Sequence, residues 1–412
     1  MNLTNIKSIK IFIYLILLSS LCTPILAGVN YQLEDFEKKA LQANVKLIKL
    51  DGKDYLKGSL SPNLNLGPIE VGFDLNLYGS LSDTSERPDE LQPLFVLRRV
   101  AYDHNKQHGF EWGRLRNITL GYGLLVDDYD SGSAGTSEFT TKKAGFLGYT
   151  THHPLRADVM YTATDVKALR LSYSFDNSPI LGSPIVIGST YISDSDGVNE
   201  NYLDKSISRP AVNGLAFDAA LPIAGDFLTF YTEYAQLMDP DNTPSGRGGS
   251  AGLRGSFFDQ TNYRLEYRRL GSSFAPGYFN GTYEGTNFDA SELPSKPING
   301  YLASLSTELL NGNYRGGVVF ESYEDRNPIL TAAIGWSALG NTVGVINYRV
   351  PFDGKSNKVV NADILYKTGS WYDLEFHMKR TYLSSNTFME SWSFGTRVNV
   401  GGLFPNIPLI MN

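Results

Sequence analysis

The chain has 412 residues and a formal net charge of −7, with 36 Lys and Arg against 43 Asp and Glu. That balance argues against a nucleic-acid surface, which needs clustered cations to meet phosphates. The single cysteine, Cys22, lies in an N-terminal apolar stretch, so the chain beyond it has no disulfide, thiol chemistry, cysteine-bound zinc or iron–sulfur site.

Residues 1–27 read as a signal peptide. Lys7 and Lys10 form the positive region, Ile11 to Leu21 the apolar region, and Pro24-Ile25-Leu26-Ala27 a cleavage site. Cys22 raises a lipoprotein alternative, but Leu21 before it is bulkier than the small residue such sites prefer. No later stretch has the ~18 uncharged apolar residues of a membrane-spanning helix. The exported product is therefore periplasmic, secreted or inserted in the outer membrane through strands.

Residues 28–54 form an N-terminal segment that either lies in the periplasm or plugs an interior. Tyr31 to Asn44 is the one predicted helix, with Leu33, Phe36, Ala40 and Leu41 near one face. Residues 55–404 read as strands. Leu56, Gly58, Leu60, Pro62, Leu64 and Leu66 alternate with Lys57, Ser59, Ser61, Asn63 and Asn65, and Pro62 suggests a bulge or an edge. Beyond Gly67-Pro68, Val71, Phe73, Leu75 and Leu77 alternate with Gly72, Asp74 and Asn76. The pattern returns at Leu169 to Phe175, at Tyr263 to Arg268 and at Trp392 to Val400.

It is clearest in the hairpin from Val359 to Lys379. Val360, Ala362, Ile364 and Tyr366 alternate with Asn361, Asp363 and Lys367, broken by Leu365. After the turn, Tyr372, Leu374, Phe376 and Met378 alternate with Asp373, Glu375, His377 and Lys379. Period two sends one set to each face of a sheet.

Forty glycines, 25 tyrosines, 22 phenylalanines and a mean hydropathy of −0.20 suit turns, aromatic girdles and apolar faces diluted by polar ones. Short turns at Gly67-Pro68, Gly225-Asp226, Asp259 to Asn262, Asn311-Gly312, Gly340-Asn341 and Gly369-Ser370 alternate with longer polar segments. The longest are Gly79 to Leu94, Ser193 to Asn213, Asp239 to Gly249 and Gly271 to Asn299. Roughly nineteen candidate strands follow Leu56, with a weaker one at Val45 to Leu50; even numbers favour about 18, within roughly 16–20. A strand ending at Phe404 would place an aromatic near the C-terminus, followed by a tail over residues 405–412.

With this recurring alternation the chain resembles bacterial outer-membrane β-barrels, including porin-like channels. The resemblance covers nearly all of the mature chain as a pattern. It implies an all-β fold, a transmembrane antiparallel up-and-down β-barrel surrounded by outer-membrane lipid. It also implies passive diffusion of small hydrophilic solutes through a polar, mixed-charge lumen, by a monomer or a homo-oligomer. No cofactor, metal or catalytic residue is expected.

The expected pore-lining residues are Arg114, Arg254, Arg264, Glu266, Arg268, Arg315, Glu321, Asp363, Asp373, Glu375, His377, Lys379 and Arg397. Phe110 to Tyr129 is the most individual stretch, and its Gly113-Arg114 pair is similar to one in sugar-export barrels. A long bulged strand is expected there. The functional alternative is a constriction with Arg114 facing water and Asp127 and Asp128 at its mouth.

Asp194-Ser195-Asp196-Gly197 is rich in hard oxygen ligands but lacks a full calcium spacing, so a solvated outer loop is expected. His104, His108, His152 and His153 read as loop or turn residues. His377 could accept a proton in an outer-membrane hydrolase, but no nucleophile motif accompanies it, and a lumen histidine is expected. The alternatives to a channel are that hydrolase and a closed scaffold binding partners through its outer loops. The alternative fold is a soluble β-sandwich or β-solenoid.

Overall fold

The computed structural model describes residues 41–398 except 51–52, 81–94, 106, 132–143, 176–183, 196–198, 203–204, 209, 241–243, 259, 282, 284–292, 352–357, 369–371 and 383–387. The expected signal peptide, most of the expected helix and the C-terminal tail lie outside the described residues. In chain order the strands are β1 (Leu41–Leu50), β2 (Lys53–Leu66), β3 (Ile69–Ser80), β4 (Phe95–His104), β5 (His108–Gly113), β6 (Ile118–Leu120), β7 (Val126–Tyr129) and β8 (Gly145–His152). There follow β9 (Leu155–Thr162), β10 (Val166–Phe175), β11 (Ile185–Asp194), β12 (Asn199–Tyr202), β13 (Lys205–Ser208), β14 (Val212–Ala224), β15 (Leu228–Met238), β16 (Pro244–Phe257) and β17 (Thr261–Leu270). The last are β18 (Phe279–Asn280), β19 (Ile298–Leu309), β20 (Tyr314–Tyr323), β21 (Ile329–Leu339), β22 (Thr342–Pro351), β23 (Lys358–Lys367), β24 (Tyr372–Tyr382) and β25 (Phe388–Val398).

Twenty of these strands form one antiparallel sheet in which chain neighbours pair with each other. The sheet returns on itself: β1 pairs β25 with Ala43 opposite Val398, Asn44 opposite Arg397 and Val45 opposite Thr396. Every strand of this sheet thus has a hydrogen-bonded neighbour on each side, which removes the exposed edge that an open sheet must manage.

Alternation sorts the side chains between the two faces. On the outer face Leu66 is 61% exposed, Leu77 71% and Tyr301 63%, and Leu171, Phe217, Leu265, Ile334 and Phe394 are likewise exposed. The inner face carries Asp74, Asn76, Asp158, Asp218, Glu233, Glu266, Arg268, Asp373 and Glu375, all buried. An apolar outer face of this extent is the reverse of a water-soluble sheet.

Because twenty is even, β1 starts and β25 finishes at the same end of the ring. The tight connections β2–β3, β8–β9, β14–β15, β16–β17, β19–β20 and β21–β22 also lie there. The opposite end carries the long connections β3–β4, β5–β8, β11–β14 and β17–β19, among which β1–β2 and β9–β10 are tight.

Several expectations change. The C-terminal end of the expected helix, Leu41 to Asn44, is strand, and β1 places Leu41–Leu50 in the sheet ahead of the expected start at Tyr55. All ten residues of β1 pair with β2, from Leu41 opposite Pro62 to Leu50 opposite Lys53, and this ladder outweighs a short stretch of helical periodicity. Pro62 makes no bulge: Leu60 opposite Leu75 and Asn63 opposite Gly72 keep one register on either side of it. The register shift lies in the next pairing, where Gly72 faces Arg99 and Phe73 faces Leu97.

The expected loop Asp239 to Gly249 is shorter, because β16 begins at Pro244. Its glycines weaken a strand by propensity. Here they are required by packing, since a Cβ on Gly248 would come within 2.6 Å of the Phe274 ring.

Candidate functional site

Two segments from the long-loop end fold inside the ring. The first leaves β5 at Gly113, whose φ of +135° suits glycine, and where a Cβ would collide with the Arg98 carbonyl. Arg114 clamps Asp130 with two bonds (2.8 and 2.5 Å). Leu115 N–H donates to Ser131 Oγ, and Ser131 N–H to the Leu115 carbonyl, each at 3.0 Å. This neck closes a loop containing β6 and β7. The expected long strand over Phe110 to Tyr129 is thus broken at Gly113, and Arg114 secures the loop base instead of facing water.

The second segment follows β17 and adds β18 parallel to β7. Gly277 N–H donates to Leu124 O (2.8 Å) and Phe279 N–H to Leu125 O (3.1 Å). Leu120, Leu124, Leu125, Val126, Phe274, Tyr278, Phe279 and Tyr283 pack on inner-wall residues Met160, Ala168, Ile192, Ala216, Ala235, Leu237, Leu270 and Ile298. Burying this many apolar groups at about 25 cal/mol per Å2 makes the inner layer a fixed part of the fold. Asp194 belongs to this packing. It is fully buried and accepts from Tyr283 Oη at 2.7 Å, so it is no solvated loop residue. Among the described residues no cluster of His, Asp and Glu could hold a metal.

The tip of the first segment, Gly121 to Leu125, rests on a charged row of the wall. Glu233 on β15 is 2% exposed, and its Oε2 accepts the N–H groups of Tyr122 (3.1 Å) and Leu124 (2.9 Å). Gly121, at φ +72°, fits because a Cβ there would sit 2.6 Å from Glu233 Oε1. From β17, Arg264 donates to the Tyr122 carbonyl (2.5 Å), Tyr231 Oη (2.9 Å) and Glu266 (2.6 and 2.8 Å), and lies 3.7 Å from Asp127. Glu266 also accepts from Tyr231 and Arg268, and Arg268 continues to Glu321 (3.1 Å) and Tyr323 (2.8 Å). Tyr122 stacks on Tyr231 with ring centres 4.4 Å apart, and the Arg254 guanidinium lies 4.5 Å from the Tyr122 ring centre.

Asp127 keeps 36% of its side chain open, yet wall and inner segment surround it. That burial raises its carboxyl above the ordinary range, against the pull of Arg264 and Arg268. Arg254 has no carboxylate partner among the described residues, which singles it out in a row of paired charges.

The expected lining residues therefore divide into groups. Arg254, Arg264, Glu266, Arg268 and Glu321 converge beneath the inner segment. Asp363, Glu375 and His377 form a second cluster on β23 and β24, with His377 Nδ1 2.6 Å from Asp363 and Nε2 3.0 Å from Glu375, and Asp373 is buried two residues before Glu375 on β24. Glu375 is only 3% exposed, and Leu365, which broke the alternation, is buried on the same face beside Val343. Arg315 sits 3.5 Å from Glu308, away from both groups. Lys379 and Arg397 are placed by register alone, Lys379 opposite Asn361 and Arg397 opposite Asp373.

The expected lining set lacked Glu233, Tyr231, Tyr122 and the Arg170–Asp218 pair (2.5 and 2.9 Å). It also lacked Arg98 and Arg99. Strict alternation would send one of those two outward. The register shift at β3–β4 turns both inward, Arg98 to Asn63 and Asp74, Arg99 to Glu70 and Glu111. Two adjacent arginines inside an amphipathic strand were the available signal.

No protein-family model and no curated protein matches this chain. Solved structures similar to it include the outer membrane protein OpdK from Pseudomonas aeruginosa, at 9% identity over 87% of this chain and 96% of that one, with a TM-score of 0.36. Acinetobacter baumannii OccAB4 is 11% identical over 87% and 95% of the two chains, with a TM-score of 0.35. A mutant Rh. blastica porin is 10% identical over 87% and 98%, with a TM-score of 0.29. At these scores the likeness bears no weight, and the functional reading rests on the geometry of the ring and its inner segments.

Proposed function

We propose that the chain is an outer-membrane β-barrel acting as a porin-like channel for small hydrophilic solutes. The observation that carries this is the sorting of the two faces: an exposed apolar outer face around a ring of paired strands, with ionised groups inside. Lipid satisfies such an outer face, and water inside satisfies the charges. No helix among the described residues is long and apolar enough to cross a membrane, so crossing falls to the strands. The inner segments act as the constriction, covering the long-loop half of the β9–β19 wall and leaving solutes the rest of the interior. No covalent chemistry is assigned, since carboxylates flank both ring nitrogens of His377.

Reconstitution in a planar lipid bilayer tests the reading. Folded protein, identified by heat-modifiable gel mobility, should give stepwise ion currents. Folded protein without currents would favour the second reading, a closed scaffold, which the extent of the inner layer also supports. Extraction from membranes without detergent would exclude both.

A further inference from the structure

The outer face of β15, β16, β17 and β19 is graded along the strands towards the long-loop end. Cross-strand register gives its rows. Phe230, Leu253, Leu265 and Ala303 form an apolar row, and Thr232, Ala251, Tyr267 and Tyr301 the next. Tyr234, Gly249, Arg269 and Asn299 come after it, and then Gln236 and Arg247. Arg247 and Arg269 are diagonal neighbours on one face, the geometry that brings long side chains within reach of each other. Gly249 between them has no side chain, and the backbone of Gly271 bonds to the Arg247 carbonyl at 2.7 Å.

Both arginines are exposed, and neither has an ion-pair partner among the described residues. Among the described residues the carboxylates nearby are Asp239, one residue beyond β15, and Glu324, which accepts from Asn299 Nδ2 at 3.1 and 3.2 Å. Tyr267 donates to Asn299 at 2.8 Å and its ring lies 5.5 Å from that of Tyr301, so the aromatic row is held in place.

At about 3.3 Å per residue, Arg269 stands ~7 Å beyond Tyr267 and ~13 Å beyond Leu265. Apolar, then tyrosine, then arginine is the order of acyl chain, interface and headgroup in a lipid leaflet. Guanidinium forks match phosphate oxygens in a bidentate way.

We propose that Arg247 and Arg269 form a headgroup site for a phosphate-bearing lipid in the leaflet at the long-loop end, with its acyl chains against Leu253 and Leu265. This rests on the reading of the chain as a membrane barrel. The site adds a named lipid class to the general apolar contact and fixes which end of the ring that lipid occupies.

The test uses the full chain reconstituted in phosphatidylcholine vesicles containing spin-labelled phosphatidic acid, with spin-labelled phosphatidylcholine as reference. The motionally restricted fraction should favour phosphatidic acid several-fold. R247Q/R269Q should lower that preference to near parity, R247K/R269K should keep part of it, and K167Q, which removes an outer cation already 2.7 Å from Asp165, should leave it unchanged. Preference that persists in R247Q/R269Q overturns the site. Loss of the preference on adding millimolar inorganic phosphate would overturn the lipid as occupant in favour of a free anion. Heat-modifiable mobility and insertion into pure phosphatidylcholine are read separately: failure there removes the membrane reading and the site with it, whereas insertion without lipid preference removes the site alone.

Discussion

Arg254 is the residue most exposed to a decisive test, because it faces the constriction, touches the Tyr122 ring and has no carboxylate to neutralise it among the described residues. A unit charge acts on an ion 4 Å away with about 1 kcal/mol even in water. Arg254→Gln should therefore lower the anion-to-cation permeability ratio several-fold while leaving heat-modifiable mobility unchanged; an unaltered reversal potential in a salt gradient would place the current path elsewhere. Asp127 should give the channel a pH dependence. Its raised carboxyl takes up a proton in the folded protein at pH values where the unfolded chain is still ionised. Its contribution to stability is therefore fully present below the ordinary carboxylate range and is lost as pH rises through the folded value. Acidification through that window removes one negative charge beside Arg264, so anion preference should rise. Asp127→Asn should remove that component of the pH profile, and a profile identical to the parent's would count against this assignment. Sequence placed Arg254 among the lining residues and Asp127 at the mouth of a constriction, but not their contacts, because the arginine beside Asp127 comes from a strand more than a hundred residues away.

At the scale of elements, the inner segment is latched to the wall by one buried carboxylate. Glu233 Oε2 takes two backbone N–H groups of the Gly121 to Leu125 tip, and such bonds are worth about 0.5–1.5 kcal/mol each. Glu233→Ala should free the tip and raise single-channel conductance and its noise. Gly121→Ala, which meets Glu233 Oε1 and has an unfavourable φ, should do the same more weakly. Conductance and noise equal to the parent's in both variants would show that apolar packing alone holds the segment. The constriction alternative for Phe110 to Tyr129 named this element, but the bulged strand was the expected reading. Gly121-Tyr122-Gly123-Leu124-Leu125-Val126 has the composition of a bulged strand, and only the wall it packs against turns it inward. The ring strands were legible by contrast, since period-two alternation in Leu169 to Phe175 or Tyr263 to Arg268 needs no distant partner to be recognised. Glu233 escaped the pattern because an inner face covered by a second layer accepts apolar groups, and then alternation no longer tells inside from outside; Leu365 is buried instead against Val343 of the neighbouring strand.

At the scale of the whole molecule, the membrane reading depends on which face meets lipid, and adjacent residues can separate the two faces. Leu171 is exposed on the outer face of β10, while Ser172 beside it points inward. Arginine on the lipid face near the bilayer midplane costs about 2–4 kcal/mol because the ion loses its hydration, whereas a wet lumen leaves it solvated. Leu171→Arg should therefore impair refolding into vesicles by that amount, while Ser172→Arg should refold nearly as the parent does and alter the ionic current. Glu375 had the expected polarity for such a control, but its near-complete burial beside His377 means that a cation there would also meet a packed site. Urea titrations in lipid vesicles give the first quantity and bilayer recordings the second. If both variants lost the same stability, or Ser172→Arg lost more, the outer and inner faces would be interchanged and the channel reading would fall with them. A soluble sandwich could also penalise Leu171→Arg, but it would carry no current for Ser172→Arg to change.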